Sequence, residues 1–283
     1  MRPERASTKN KGSVTMVRKA LLGLLGCTLI AGAALAQESP VDVTVSSSVT
    51  STYMWNGFNR VEMSGLDNGP AIQPGVAVGV KGTGLAVKVG GSFVVNDDSE
   101  LHETTYGVGF QRSVSPLVEV GGGYTYYDNR VKTTVTPGVE VDGEDNHEVW
   151  GGVVLSSAVG VKPGVTVKYE KPTTDGADGF AVVVGSLGYA MPLSGVNVGG
   201  VGVTLDWSTG VVYNSGITVG NVDVLKSGVT AWQVGVSSAL HAGRVVVTPA
   251  VNYQVSTYEV PTVTGVQDAD NEFWASVGVA YGF

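Results

Sequence analysis

The chain has 283 residues, 17 Lys and Arg against 25 Asp and Glu, a formal charge of −8, and one cysteine. The acidic balance argues against a nucleic-acid partner, which calls for basic patches, and a lone cysteine leaves no disulfide to staple the fold. The 41 glycines, with Val, Thr and Tyr between turn signals, point to all-β structure.

Arg18 and Lys19 precede an apolar run from Ala20 to Ala33, and Ala34-Leu35-Ala36 is a small-residue cleavage site. This pattern reads as a secretory signal peptide over residues 1–36, with Met16 as the expected true start and Gln37 as the first mature residue. Leu24-Leu25-Gly26-Cys27 also fits a lipoprotein box, but the apolar run continues past Cys27, which suits ordinary cleavage better. Removing residues 1–36 takes away six basic residues and one acidic one, so the mature chain carries 11 basic and 24 acidic residues, a charge of −13. No second long apolar run follows, which excludes a helical membrane protein. Residues 37–283 are expected to form one β domain.

In chain order, strands are expected near 41–54, 70–80, 84–95, 101–113, 117–128, 146–158, 164–171, 179–190, 199–213, 228–240, 244–258 and 271–283. Most alternate between a Val-rich face and a face of small or polar residues. Leu85, Val87, Val89 and Phe93 oppose Lys88, Gly90 and Ser92; Val118, Val120, Tyr124 and Tyr126 oppose Glu119, Gly121, Gly123 and Thr125. The eighth segment, Phe180-Ala181-Val182-Val183-Val184, is apolar on both faces and fits least well. A soluble sandwich would also alternate. Three features favour a transmembrane barrel instead. The strands are long, and the polar face is built of Gly, Ser, Thr and Ala rather than Lys and Glu. In addition, short connections (81–84, 114–116, 159–163, 191–195, 241–243) alternate with longer ones (55–69, 96–100, 129–145, 172–178, 214–227, 259–270). An even strand number with short turns on one side and long loops on the other is outer-membrane barrel grammar. The expected fold is therefore a single antiparallel up-and-down barrel of about 12 strands. Tyr53, Trp55, Tyr124, Tyr126, Trp207, Tyr213, Tyr253, Tyr281 and Phe283 are expected in its interfacial belts.

The final segment places Phe273, Ala275, Val277, Val279, Tyr281 and Phe283 on one face. It resembles the closing strand of bacterial outer-membrane barrels, in which, the resemblance implies, Val277, Val279, Tyr281 and Phe283 would be read by the insertion machinery. Thr50-Ser51-Thr52-Tyr53-Met54-Trp55-Asn56-Gly57-Phe58 with Pro70-Ala71-Ile72-Gln73-Pro74-Gly75 resembles the first hairpin of TorF-type porins. Gly122-Gly123-Tyr124-Thr125-Tyr126-Tyr127, Glu148-Val149-Trp150-Gly151-Gly152 and Phe273-Trp274 carry the likeness onward, over most of residues 45–283. Asn56 stands where that family's pattern has Arg. The resemblance implies an outer-membrane location and channel activity without naming a solute.

Catalytic chemistry is not legible. His102, His147 and His241 stand near loop ends or in a short turn, and no G-x-S-x-G elbow occurs. No enzyme activity, cofactor or metal is expected. The acidic runs 96–100, 140–145 and 268–272 match no EF-hand and read as solvated loops; weak bridging of divalent ions to lipid headgroups is a middle case. Glycine clusters at 121–123 and 199–202 lie inside strand patterns, which argues against phosphate-binding loops. Inward-facing candidates for a pore lining are Gln73, Lys88, Glu103, Gln111, Glu119, Glu148, Lys168, Glu170, Asp206, Gln233, Asn252 and Gln254. Carboxylates outnumber ammonium groups among them. The expectation is passive diffusion of small hydrophilic solutes with mild cation preference. The expected partners are outer-membrane lipid and lipopolysaccharide, the insertion machinery and those solutes. The alternatives are a closed structural or adhesive barrel, with loop 129–145 as the plug, and an outer-membrane lipid-modifying enzyme.

Overall fold

The computed structural model describes residues 40–59, 69–95, 100–132, 145–157, 160–173, 178–198, 201–219, 222–262 and 265–283. The signal segment 1–36, most of loop 129–145 and the acidic stretches 96–99 and 140–144 lie outside these residues.

Twelve long strands form the wall: β1 (Val41–Thr50), β2 (Ala71–Val80), β3 (Leu85–Val94), β4 (Glu100–Ser115), β5 (Val118–Lys132), β6 (Asn146–Leu155), β7 (Val161–Pro172), β8 (Phe180–Val198), β9 (Val201–Asn214), β10 (Gly228–Ser237), β11 (Val245–Ser256) and β12 (Glu272–Gly282). Each is antiparallel to its neighbours in sequence. The sheet closes where β12 pairs with β1, from Thr44↔Gly282 to Thr50↔Ser276. Closure leaves no stave with an unpaired edge, the condition for a sheet to sit in hydrocarbon.

Side-chain alternation then decides what each face meets. Val87, Val167 and Val277 are 53%, 49% and 49% exposed, although they lie in the middle of paired strands. Gly90, Thr166 and Gly278, on the opposite face, line the inside. A soluble barrel would bury its valines and wet its small polar residues; here the apolar stripe runs round the outside. Aromatics bound this stripe at both ends. Phe93, Tyr106, Tyr124, Tyr169, Tyr213, Tyr253 and Phe273 face outward toward the long-loop end, and Phe110, Tyr189 and Trp207 toward the short-turn end. This is the outer surface of an outer-membrane barrel. Tyr53 and Trp55 do not join these belts. They are 4% and 9% exposed and belong to a buried cluster inside the wall.

Three boundaries differ from expectation for local reasons. β7 starts at Val161 because Ser157 and Gly160 close a tight turn: Gly160 N donates to Ser157 O at 3.1 Å, Val161 N to Ser157 Oγ at 3.0 Å, and Gly160 takes φ +81°. That gives this strand twelve residues, long enough to span. β8 runs on to Val198, because Pro192 falls at a register shift between Pro192 and Asn197, where the missing N–H is tolerated. β10 stops at Ser237, and Leu240–Ala242 folds back on Val245–Val247 as a separate short strand.

Candidate functional site: a hairpin held inside the barrel

The chain leaving β1 at the long-loop end turns inward. Met54–Trp55 pairs with Phe58–Asn59 around Asn56-Gly57, whose φ angles are +50° and +83°. Two successive positive φ values make the I′-type turn that Asn-Gly favours. Gly57 is required twice over. Its backbone is left-handed, and a Cβ there would stand 3.2 Å from the Cβ atoms of Val212 on β9 and Ala231 on β10. The hairpin tip thus presses against the inner wall.

Apolar packing explains why this loop leaves water. Tyr53, Trp55 and Phe58 form one cluster with Val94, Phe180, Val182, Val212, Ala231 and Tyr258. Phe58 is fully buried, edge-on to Tyr258 with ring centroids 4.8 Å apart, and Trp55 meets Phe180 edge-on at 6.5 Å. Burying a side chain such as Phe58 contributes roughly 1.5–3 kcal/mol. The two-sided apolarity of β8 has its cause here: Val183 faces out, while Phe180 and Val182 face in and pack on the hairpin.

Polar contacts fix its position. Tyr53 OH donates to Glu103 Oε1 at 2.6 Å on β4. Asn56 Nδ2 donates to Glu170 on β7, and Asn56 Oδ1 accepts from Lys168 Nζ at 2.8 Å. Lys168 Nζ also reaches Glu148 Oε2 at 3.2 Å on β6. Gly57 O accepts from Gln254 Nε2 at 2.8 Å on β11, and Asn59 Nδ2 donates to Glu272 Oε1 at 2.6 Å on β12. Tyr258 OH accepts from Asn59 N at 3.2 Å. The anchors therefore run round the wall from β4 to β12. Glu148 and Glu170 are direct cross-strand partners, and Lys168 links Glu148 to the hairpin.

The twelve lining candidates divide by height. Glu103, Lys168, Glu170 and Gln254 touch the hairpin, Glu148 braces Lys168, and Gln233 supports Gln254 through a 2.7 Å bond. Gln254 and Glu170 are fully buried, and Glu103 and Glu148 are 3% exposed, so these groups hold protein rather than line an open bore. Lys88, Gln111, Glu119 and Asp206 lie nearer the short-turn end, while Gln73 and Asn252 lie in the long-loop halves of β2 and β11. Gln73 bridges Ser48 and Ser92, and Gln111 Nε2 donates to Glu119 at 2.6 Å. Asn56, Asn59 and Glu272 escaped sequence reasoning. A signal existed: Tyr53, Trp55 and Phe58 surround an Asn-Gly pair in a stretch read as a strand end and a longer connection.

Below the hairpin the lining is small: Gly75, Gly107, Thr166, Ser186, Ser208, Thr248 and Gly278 come from seven different staves. A spacing of about 4.8 Å and a tilt of about 40° put opposite backbones of twelve staves roughly 24 Å apart. Small side chains leave much of that width open below the hairpin. Trp150 is an exception, an indole on the inner face of β6. His102 and His147 face outward, and Tyr124 OH lies 2.6 Å from His147 Nδ1 on the exterior. Val277, Val279 and Tyr281 lie on the outer face of β12, and Phe283 follows it. No group of three or more His, Cys, Asp or Glu among the described residues could hold a metal.

No family model and no curated protein matches the chain. Solved structures do. An outer membrane channel from Pseudomonas putida F1 superposes with TM-score 0.50 at 7% identity, over 88% of this chain and 97% of that one. The translocator domain of autotransporter NalP from Neisseria meningitidis gives 0.51 at 14% identity, over 95% and 99%. Both are outer-membrane barrels, and the likeness is one of fold.

Proposed function

We propose that this barrel is a narrow outer-membrane channel for small hydrophilic solutes and ions, restricted at its outer end by the inward hairpin Ser51–Asn59. The observation that carries this reading is the contrast in the lumen. The outer part is filled and cross-braced, while the inner part is lined on stave after stave by Gly, Ala, Ser and Thr, which leaves room for water. Among the described residues, the carboxylates of Glu103, Glu148, Glu170 and Glu272 outnumber the Lys168 ammonium around the hairpin, so cations are the favoured passengers. The channel reading needs no catalytic step and takes the protein as a non-enzyme. It also takes residues 1–36 as a removed signal and the closing strand as the feature met by the insertion machinery, with lipopolysaccharide around the outer rim. The TorF-type resemblance is consistent with it, since Thr50–Phe58 is the segment that builds the hairpin.

Purified protein in planar bilayers under a KCl gradient tests this. Small steps with a cation-side reversal potential are expected, and deletion of residues 54–59 should enlarge them. The second reading, a closed structural barrel, draws on the number of staves that grip the hairpin. It requires silence from the intact protein; silence from both proteins would refute the channel.

A further inference from the structure

Trp150 is a lumenal aromatic outside the cluster that buries the hairpin. Trp150 points inward from β6, two residues below Glu148 and directly across from Lys168 on β7. The wall beneath its ring is glycine. A Cβ at Gly123 would stand 3.0 Å from Cε2, one at Gly109 3.2 Å from Cζ2, and one at Gly121 3.4 Å from Cζ3. Any side chain at these positions would lift the indole off the wall. Their absence lets one side of the six-membered ring lie on backbone while its other side is turned to the bore. Trp150 is partly accessible, below the filled zone.

Immediately above, Asn56 enters a polar pocket as a ligand would. Its carboxamide donates to Glu170 and accepts from Lys168, and Lys168 is braced by Glu148. A donor and an acceptor side by side are what adjacent hydroxyls of a sugar ring present. A broad aromatic face beneath them is complementary to the apolar C–H face of the same ring. We propose that Trp150, Lys168, Glu148 and Glu170 form a saccharide-binding station for neutral oligosaccharides, with the Asn56 carboxamide standing in for sugar hydroxyls until solute displaces it. This rests on the channel reading for its purpose, though the binding does not require conduction.

Two measurements separate the claims. The full protein in detergent is titrated with maltotetraose, with binding followed by calorimetry and tryptophan fluorescence; polyethylene glycol of equal size is the control. Saturable sugar binding without polymer binding is expected. Trp150→Ala should weaken it about three- to tenfold, the worth of one aromatic contact, with Trp150→Phe intermediate. Asn56→Ala should tighten it, because the internal competitor is gone. In bilayers the same sugar should interrupt the current reversibly. Binding with no current at all would defeat the channel and leave the station. No saturable binding, equal response to sugar and polymer, or unchanged affinity in both Trp150 variants would overturn the station whatever the conductance. Should Trp150→Ala fail to fold, Lys168→Gln must weaken binding instead, and unchanged affinity there would also refute the proposal.

Discussion

Replacing Lys168 by Met removes the only cation among the described hairpin anchors while keeping a similar stem. Lys168 Nζ bonds Asn56 Oδ1 at 2.8 Å and Glu148 Oε2 at 3.2 Å, with the Glu148 side chain 4% exposed and that of Lys168 24% exposed. Without it, the Glu148 carboxylate loses this counter-charge while it sits directly across from Glu170, under the hairpin. Breaking such a buried pair costs about 3 kcal/mol at the low end. Swinging the hairpin out rehydrates both carboxylates and relieves that cost. An energy of that size shifts the in-to-out ratio by roughly a hundredfold. A hairpin out for about one part in a thousand of the time would be out for about one part in ten. Single-channel recording at pH 7 and low salt should show longer and larger openings in Lys168→Met, partly reversed by adding Glu148→Gln. The control is Lys226→Met. Lys226 pairs with Glu259 at 3.0 Å, but the side chains are 80% and 45% exposed, so the pair contributes about 0–1 kcal/mol and its loss should leave gating alone. Equal open times in Lys168→Met and the parent would refute the claim that this ion pair holds the hairpin.

Gly57→Val should expel the hairpin tip, since its Cβ would crowd Val212 and Ala231 at 3.2 Å and its φ of +83° disfavours a branched residue; larger conductance with an intact, heat-modifiable barrel is the expected result. Val87→Lys places a charge in the outer apolar stripe and should lower folding stability in lipid by about 2–4 kcal/mol, read from urea titration of vesicle-embedded protein, whereas Ala86→Lys on the inner face should cost much less. The double change Glu103→Gln and Glu272→Gln should move the reversal potential toward zero, because it removes two of the carboxylates around the hairpin.

The barrel was legible because period-two alternation is a local signal. Leu85, Val87 and Val89 against Lys88 and Gly90 can be read without knowing what either face meets, and closure follows from the physics of hydrocarbon. The interior arrangement was not, because it depends on contacts far apart in the chain: Asn59 with Glu272, Gly57 with Gln254, Asn56 with Glu170. Phe180 and Val182 looked anomalous because their partner, Phe58, lies in a loop more than a hundred residues earlier. Pro192 read as a turn because the bulge that tolerates it is a property of the pairing with β9, invisible in β8 alone. Glu103, Glu148, Lys168 and Glu170 were placed on the inner face by alternation, but what they hold depended on where the first loop went.

The central claim is that the first loop folds into the bore and touches the far wall. The signal reading leaves the mature chain without a native cysteine, so a cysteine pair at Gly57→Cys and Ala231→Cys is a clean probe. The Cβ positions stand 3.2 Å apart, just short of ordinary disulfide spacing and within reach of a small shift. Mild oxidation of the folded protein should cross-link the two positions nearly completely and lower the conductance, with recovery on reduction. Two thiols that stay free and react at once with an added reagent would place the hairpin outside the barrel and contradict the account.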